Sequence, residues 1–180
     1  MLIGRFHMYA QVYSNSKGVA VDFVIQSIFK RIKYLYLNKY KFVDKYSLLQ
    51  MFKPYLDSRA FTYQEILKLD DSIFFTFLES IQYEKDKVLL NLFKAYHNSS
   101  LIKVKKNFAN KPVNVTGDEK YYCGNMACKK ISVYHKNEDQ IYIYDEDNND
   151  KVEELSKAST IINRLESAEI QPIYTVIIKH

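Results

Sequence analysis

The segment R-F-H-M-Y-A-Q-V-Y near the start of the sequence carries residues whose types and spacing suggest chemistry. Arg5, Tyr9 and Tyr13 lie at positions i, i+4 and i+8, so a helix would align them on one face. A guanidinium offers a fork of N–H donors that suits phosphate oxygens, and a tyrosine offers a ring and a hydroxyl for a sugar or base. The spacing therefore suggests nucleotide binding. It also fits a plain helix that packs its tyrosines into a core with the arginine at the rim.

The histidines and cysteines do not form a pattern that predicts a metal site. None of the histidines is followed by Asp, and they are widely separated: His7, His97, His135 and His180. Cys123 and Cys128 form a single C-x4-C, without the second pair of ligands that a zinc site needs, so we expect two reduced thiols. The sequence predicts no catalytic residue, metal ligand or cofactor in this chain.

The composition is typical of a folded protein. Hydrophobic residues make up 47% of the 180 residues, which is enough for one sizeable core and excludes a disordered chain. No apolar run is long enough for a membrane span, and Arg5 and His7 interrupt any candidate signal sequence. The predicted location is cytoplasmic, with no membrane partner.

The net charge of +5 is unevenly distributed, because residues 1–43 are basic and residues 137–154 are acidic. Basic and aromatic residues alternate over 30–41, a mixture that suits single-stranded nucleic acid. The residues concerned are Lys30, Arg31, Lys33, Tyr34, Tyr36, Lys39, Tyr40 and Lys41. The tyrosines also fall on the apolar stripe of a helix, with the cations near its solvent side, so nucleic acid is not the expected partner.

Residues 1–98 read as helical. A short helix is predicted from Ile3 to about Val12, and a long one from about Val19 to Leu37 with an apolar stripe that includes Val21, Ile28 and Ile32. Further helices are predicted after 61, over 69–81 and over 86–96. The expected caps are Thr62, with Glu65 completing a capping box, and Asp70 or Asp71.

The character of the sequence changes after residue 100. Strands are predicted at 101–105, 131–135, 140–144 and 172–178, a loop at 107–124 and an amphipathic helix at 152–165. The K-N-E-D sequence between the second and third strands indicates a hairpin. The predicted fold is therefore α+β, mainly α, with a helical unit over 1–100 and a small α+β unit over 101–180.

The order of these features resembles the carboxyl-terminal half of HD-domain phosphohydrolases of the dNTP triphosphohydrolase type. The resemblance rests on the Arg5, Tyr9 and Tyr13 spacing, the polar turn, the long helix and L-D-D-S-I-F-F-T-F-L, and it is strongest over 1–105. It implies that Arg5 reaches the nucleotide phosphates and that Tyr9 and Tyr13 lie by the sugar and base. A complete family member would also hold a divalent metal.

Two departures from that family bear on function. The family pattern V-Y-x-H-K is V-Y-S-N-S-K here, so Asn15 stands at the His position and Ser16 at the Lys position. The family's metal ligands, a His, a His-Asp pair and a later Asp, would all lie upstream of Arg5. We therefore expect a carboxyl-terminal portion of such an enzyme, inactive as this chain alone.

Two functions follow from the sequence. The chain could supply nucleotide contacts to a His-Asp-bearing partner polypeptide, or it could be a non-catalytic oligomerisation or nucleotide-sensing module. In either case we expect weak nucleotide binding. Self-association is also expected, because the apolar stripes at Val21–Ile32 and Phe74–Ile81 should stay partly uncovered.

Overall fold

The structure of the chain, a computed structural model, describes residues 2–13, 15–43, 48–107, 113–128, 140–145, 151–167 and 173–180. Its α-helices are α1 (Leu2–His7), α2 (Ser16–Leu37), α3 (Lys53–Leu56), α4 (Tyr63–Leu67), α5 (Asp71–Ser80), α6 (Lys87–His97), α7 (Leu155–Ala158) and α8 (Thr160–Ser167). A π-helix, Met8–Tyr13, continues α1, and 3-10 helices lie at Leu48–Phe52, Ile81–Tyr83, Ser99–Leu101 and Gly117–Tyr121. The strands are β1 (Ile102–Lys106), β2 (Cys123–Ala127), β3 (Tyr142–Asp145), β4 (Lys151–Glu154) and β5 (Ile173–Ile178). The predicted α+β, mainly α, fold class is confirmed.

Helix α2 is the central element of the core. The long helix predicted here is confirmed, although it begins at Ser16, three residues before the expected start. One face packs against α6, α3 and the strands β1, β2 and β5. The buried residues repeat at helical spacing along that face: Val19, Ala20, Phe23, Val24, Ser27, Ile28, Arg31, Ile32 and Leu35.

The face of α2 that is buried differs from the predicted stripe. Val21 is 37% exposed, and Arg31, predicted to lie near the solvent side, is only 8% exposed. Ile28 and Ile32 are fully covered, because neighbouring elements of the same chain pack on them. The stripe is therefore covered at Ile28 and Ile32, half-buried at Ile25 and Phe29, and exposed at Val21.

The stripe of α5 is covered as well. Phe77, Leu78 and Ile81 are buried, and Phe77 packs its ring against Phe52 at a centroid distance of 4.4 Å. Phe29 of α2 extends the same aromatic cluster. The stripe at Phe74–Ile81, expected to stay partly uncovered, is thus covered except at the half-buried Phe74, and self-association stays a prediction.

The helix starts follow the predicted capping residues. The Thr62 hydroxyl accepts from the Glu65 backbone N–H while the Glu65 carboxylate accepts from the Thr62 N–H, which is a complete capping box. Asp70 caps α5 by accepting from the Ile73 N–H at 2.8 Å. Asp86 caps α6 by accepting from the Leu89 N–H at 2.9 Å. The predicted caps therefore mark the starts of α4 and α5 correctly, whereas Asp86 is a cap that the sequence analysis did not name.

Three strands form an antiparallel sheet in the order β1, β5, β2, so the last strand of the chain lies at its centre. Val176 of β5 is paired with Val104 on one side and with Gly124 on the other. Val176 and Ile178 are buried against α2. The helices and this sheet therefore share one core, which includes residues on both sides of position 100. The division into units 1–100 and 101–180 stays a prediction.

Two predictions for the second half of the chain need correction. The predicted loop at 107–124 contains a 3-10 helix and the start of β2, whose Gly and Asn residues gave no strand signal. The predicted helix at 152–165 begins instead with β4, which pairs with β3, and Ser159 separates α7 from α8. The predicted strand 131–135 lies outside the described residues, and so does the hairpin that would join it to 140–144.

Candidate functional site

The segment that carries Arg5, Tyr9 and Tyr13 is helical throughout, as the sequence predicts. Arg5 lies in α1, whereas Tyr9 and Tyr13 lie in the π-helix that continues it. A π-helix closes its hydrogen bonds between residues i and i+5, so a turn takes more residues than in an α-helix. A step of four residues is a little less than one turn of a π-helix and a little more than one turn of an α-helix, so the backbone positions of Tyr9 and Tyr13 still lie on one face.

The π-helical geometry is itself informative. Such turns are rare, and they occur frequently at functional sites. The segment also presents apolar side chains to solvent: Ile3 is 46% exposed, Met8 42% and Val12 57%. These three residues are not covered by the core on which α2 is packed.

Asn15 joins this segment to α2. Its side-chain oxygen accepts a hydrogen bond from the Gly18 backbone N–H at 2.8 Å, which caps α2. Its side-chain nitrogen donates to the Val12 carbonyl at 2.5 Å, near the end of the π-helix. The position that holds His in the family that the sequence resembles is thus occupied by a helix cap, and Lys17, two residues further along the chain, is exposed.

A second cluster of charged groups centres on Arg31, which sequence reasoning assigned to a solvated face. Its Nε and Nη2 atoms donate to the two carboxylate oxygens of Asp86 at 3.1 and 2.8 Å. Its Nη1 atom donates to Asp118 at 2.8 Å. The Arg31 and Asp86 side chains are only 10% and 12% exposed, whereas that of Asp118 is 59% exposed. The cluster ties α2 to the amino end of α6 and to the 3-10 helix at Gly117–Tyr121.

The surroundings hold both members of the Arg31 and Asp86 pair in their charged forms. Burial alone would raise the pKa of Asp86, but the hydrogen bonds from Arg31 and the backbone outweigh it and lower that pKa below its usual range. Burial likewise opposes the charge on Arg31, and Asp86 nevertheless raises the pKa of the guanidinium. No signal in the sequence separated Arg31 from the neighbouring Lys30 and Lys33, because the acidic partners lie 55 and 87 residues away.

The basic and aromatic residues of 30–41 make structural contacts. Lys33 donates to the Tyr55 carbonyl at 3.1 Å and to the Ser58 hydroxyl at 2.6 Å. The Tyr36 hydroxyl donates to Asp57 at 2.8 Å. With Arg31 buried as well, several groups of the candidate nucleic-acid stripe make contacts within the chain.

The acidic and imidazole groups in the described part of the chain do not converge. His97 lies 3.0 Å from Glu79, and His180 lies 3.6 Å from Glu119 and stacks on Tyr122. Among the described residues no three His, Cys, Asp or Glu side chains are grouped so that they could hold a metal ion. His135 lies outside those residues. Cys123 and Cys128, which are both described, form no disulfide.

A cleft between α2, α5 and α6 has the wrong chemistry for a triphosphate. It comprises about 280 Å³ of space, open solvent included, and is lined by Ile32, Phe42, Phe77 and Ile81 among others. Its charged member is Glu84, which accepts a hydrogen bond from the Val43 backbone N–H at 2.9 Å. An apolar lining with a carboxylate would repel phosphate, so this cleft is not the predicted nucleotide site.

The fold matches that of a phosphohydrolase. The chain is similar to the crystal structure of a phosphohydrolase from Bacteroides thetaiotaomicron with a TM-score of 0.68 and 19% sequence identity. The alignment covers 99% of this chain and 48% of that one. This likeness establishes the fold of the chain.

Two curated relatives are more similar in sequence but carry no assigned function. Over 109 residues the chain is 33% identical to an uncharacterized protein of Mycoplasma pneumoniae and 31% identical to one of Mycoplasma genitalium. The alignments cover 58% of this chain and 26% of each relative, so the chain spans about a quarter of their length. No protein-family model matches the sequence. None of the described helices is both long enough and apolar enough to cross a bilayer.

Proposed function

We propose that the chain is the carboxyl-terminal portion of an HD-type phosphohydrolase of the dNTP triphosphohydrolase class, and that it contributes nucleotide contacts through Arg5, Tyr9 and Tyr13. The observation that carries the proposal is the match of nearly the whole chain to about half of a phosphohydrolase. The segment with the family's Arg and Tyr spacing is helical, which the proposed contacts require.

In this proposal Arg5 donates hydrogen bonds to phosphate oxygens, and Tyr9 and Tyr13 pack against the sugar and base. A divalent metal in the complete family member would polarise phosphate and activate water. The described residues do not fit such a metal, because no group of three ligands is present among them. A His-Asp-bearing polypeptide segment would have to provide those ligands, and the proposal assigns only nucleotide binding to this chain.

Titration calorimetry with each of the four dNTPs tests the proposal. We expect weak binding, and a loss of about tenfold or more in affinity for Arg5→Ala, since a hydrogen bond to a charged group contributes about 1.5–3 kcal/mol. The loss should be larger at low than at high salt. Lys30→Ala is the matched control, because it removes one exposed positive charge from α2. No heat with any dNTP, or equal losses in the two variants, would contradict the proposal.

The second candidate is a non-catalytic module that binds a second copy of the chain. It is favoured by the exposed Ile3, Met8 and Val12 on the amino-terminal segment, an apolar surface that the core leaves uncovered. Sedimentation at micromolar concentration would then show a dimer or larger species, and Met8→Ser with Val12→Ser would shift it to monomer. A monomeric wild-type chain would rule this candidate out.

A further inference from the structure

The Asn15 side chain makes two hydrogen bonds that point in opposite directions along the chain. Its oxygen faces the first turn of α2 through Gly18, and its nitrogen faces the last turn of the π-helix through Val12. The Asn15 backbone is extended, with φ −72° and ψ 150°, and its own carbonyl accepts from the Val19 N–H to open α2. One residue therefore serves the ends of two helices at once.

This arrangement satisfies groups that helix ends leave without partners. The first N–H groups and the last C=O groups of a helix have no acceptor or donor within that helix. A carboxamide can satisfy one of each, because it carries an acceptor and a donor on the same planar group. Of the usual capping side chains, Ser and Asp offer the acceptor but not the amide donor.

The connection at Asn15 is important because α2 is buried in the core, whereas the helical segment before it is more exposed. Helix α2 is fixed by Val24, Ile28 and other fully buried residues. In the segment before it, Ile3, Met8 and Val12 are substantially exposed. The orientation of that segment therefore depends more on its connection to α2 than on packing against the core. The hydrogen bond from Asn15 to Val12 directly connects the segment to the start of α2.

We infer that Asn15 is a positioning residue, whose two-sided amide holds the helix bearing Arg5, Tyr9 and Tyr13 in place against α2. The consequence for nucleotide binding rests on the proposed function, whereas the mechanical role of Asn15 does not. Asn15 acts here through the Val12 carbonyl and the Gly18 N–H, and the inference assigns it no contact with the nucleotide.

The isosteric change Asn15→Asp separates the two bonds. An aspartate keeps the oxygen that accepts from Gly18, and it suits a helix whose first turn has no acidic residue. It replaces the donor to Val12 by an oxygen that faces the carbonyl. Asn15→Ser also keeps an acceptor but loses the amide N–H donor, and its one hydroxyl hydrogen lies on a shorter side chain. The matched control is Asn98→Asp, because Asn98 caps the 3-10 helix at Ser99–Leu101 with bonds that both use its side-chain oxygen.

Amide hydrogen exchange on the purified chain tests whether Asn15 holds residues 2–13 in place. We expect exchange in residues 2–13 to be about tenfold faster in Asn15→Asp and Asn15→Ser than in wild type. Exchange in α2 and the thermal midpoint should stay unchanged in both variants. Unchanged exchange in 2–13, or an equal effect of Asn98→Asp, would overturn the inference, and so would a parallel acceleration throughout α2.

Calorimetry with dNTPs on the same samples tests the link to nucleotide binding. If the wild-type chain binds dNTP, both Asn15 variants should bind more weakly although neither lacks Arg5. Unchanged dNTP affinity in variants with accelerated exchange would overturn that link. If the wild-type chain binds no dNTP, the proposed function fails, and the exchange data still decide the mechanical role.

Discussion

The guanidinium of Arg31 and the carboxylate of Asp86 form a two-pronged ion pair across the interface of α2 and α6, with donor to acceptor distances of 3.1 and 2.8 Å. The same carboxylate accepts from the Leu89 N–H and so begins α6. Asp86 therefore neutralises a buried cation and caps a helix at the same time. The more exposed Asp118 completes the set of acceptors for Arg31.

Asp86→Asn should destabilise the fold by about 3 kcal/mol, because removing one partner of a buried pair leaves the other charge poorly compensated. The change keeps a side-chain oxygen that can cap α6, so the loss reports mainly on charge. Asp118→Asn is the control, since its carboxylate is 59% exposed and such a pair contributes about 0–1 kcal/mol. Urea unfolding of both variants measures the difference, and equal losses would contradict this assignment.

Stability should fall in acid through Asp86. Its pKa is lower in the folded chain than the ordinary value of 3.8, so folding favours the ionised carboxylate. The stability that ionised Asp86 contributes is fully present at a pH above this ordinary pKa. It is lost as the pH falls through the lower pKa that Asp86 has in the folded chain. Urea unfolding at several pH values between about 6 and 2 measures the free energy of unfolding. Acid should lower this free energy less in Asp86→Asn than in wild type. Parallel profiles for the two proteins would contradict the prediction.

The features that the sequence predicted correctly are those encoded within a few residues. Thr62 with Glu65, and Asp70 before α5, act through backbone groups three residues away, so their roles follow from spacing alone. The final strand was also found, because its apolar run has a strong β signal. The candidate site of Arg5, Tyr9 and Tyr13 stays a prediction from their spacing, and the structure shows only that their segment is helical.

The features that the sequence missed depend on distant partners. Arg31 looks like its neighbour Lys30 in the sequence, and only the fold brings Asp86 and Asp118 to it. Strand β2 has weak strand propensity and is formed by pairing with β5, about 50 residues further along the chain. The spacing of apolar residues predicts a helix after α1, but it does not distinguish a π-helix from an α-helix.

Gly124→Ala should destabilise the chain by about 1–3 kcal/mol, because the new Cβ would lie 2.8 Å from Cε2 of Phe23. Phe23 is 5% exposed, so its ring has little room to move away. Gly4→Ala is the control, since nothing lies within 4 Å of its Cβ position and alanine favours the helix.

The contact itself can be tested by adding Phe23→Leu to the Gly124 variant. The smaller side chain should recover part of the stability lost in Gly124→Ala, although Phe23→Leu alone is destabilising. Thermal unfolding of the two single variants and the double variant measures this coupling. Strictly additive losses would mean that the ring and the new methyl group do not meet.

The 180-residue chain, assayed alone, should not hydrolyse dNTPs in the presence of Mn²⁺ or Mg²⁺. Metal-assisted hydrolysis needs several ligands on one ion, and Asp70 instead accepts from the Ile73 N–H and the Ser72 hydroxyl as a helix cap. Holding a nucleotide through Arg5 would not accelerate the reaction by itself, because ground-state binding gives no rate. Chromatographic detection of released nucleoside or nucleotide checks this. Metal-dependent turnover that is abolished by Asp70→Ala or Asp71→Ala, in variants that remain folded, would contradict it and place a metal site at the start of α5.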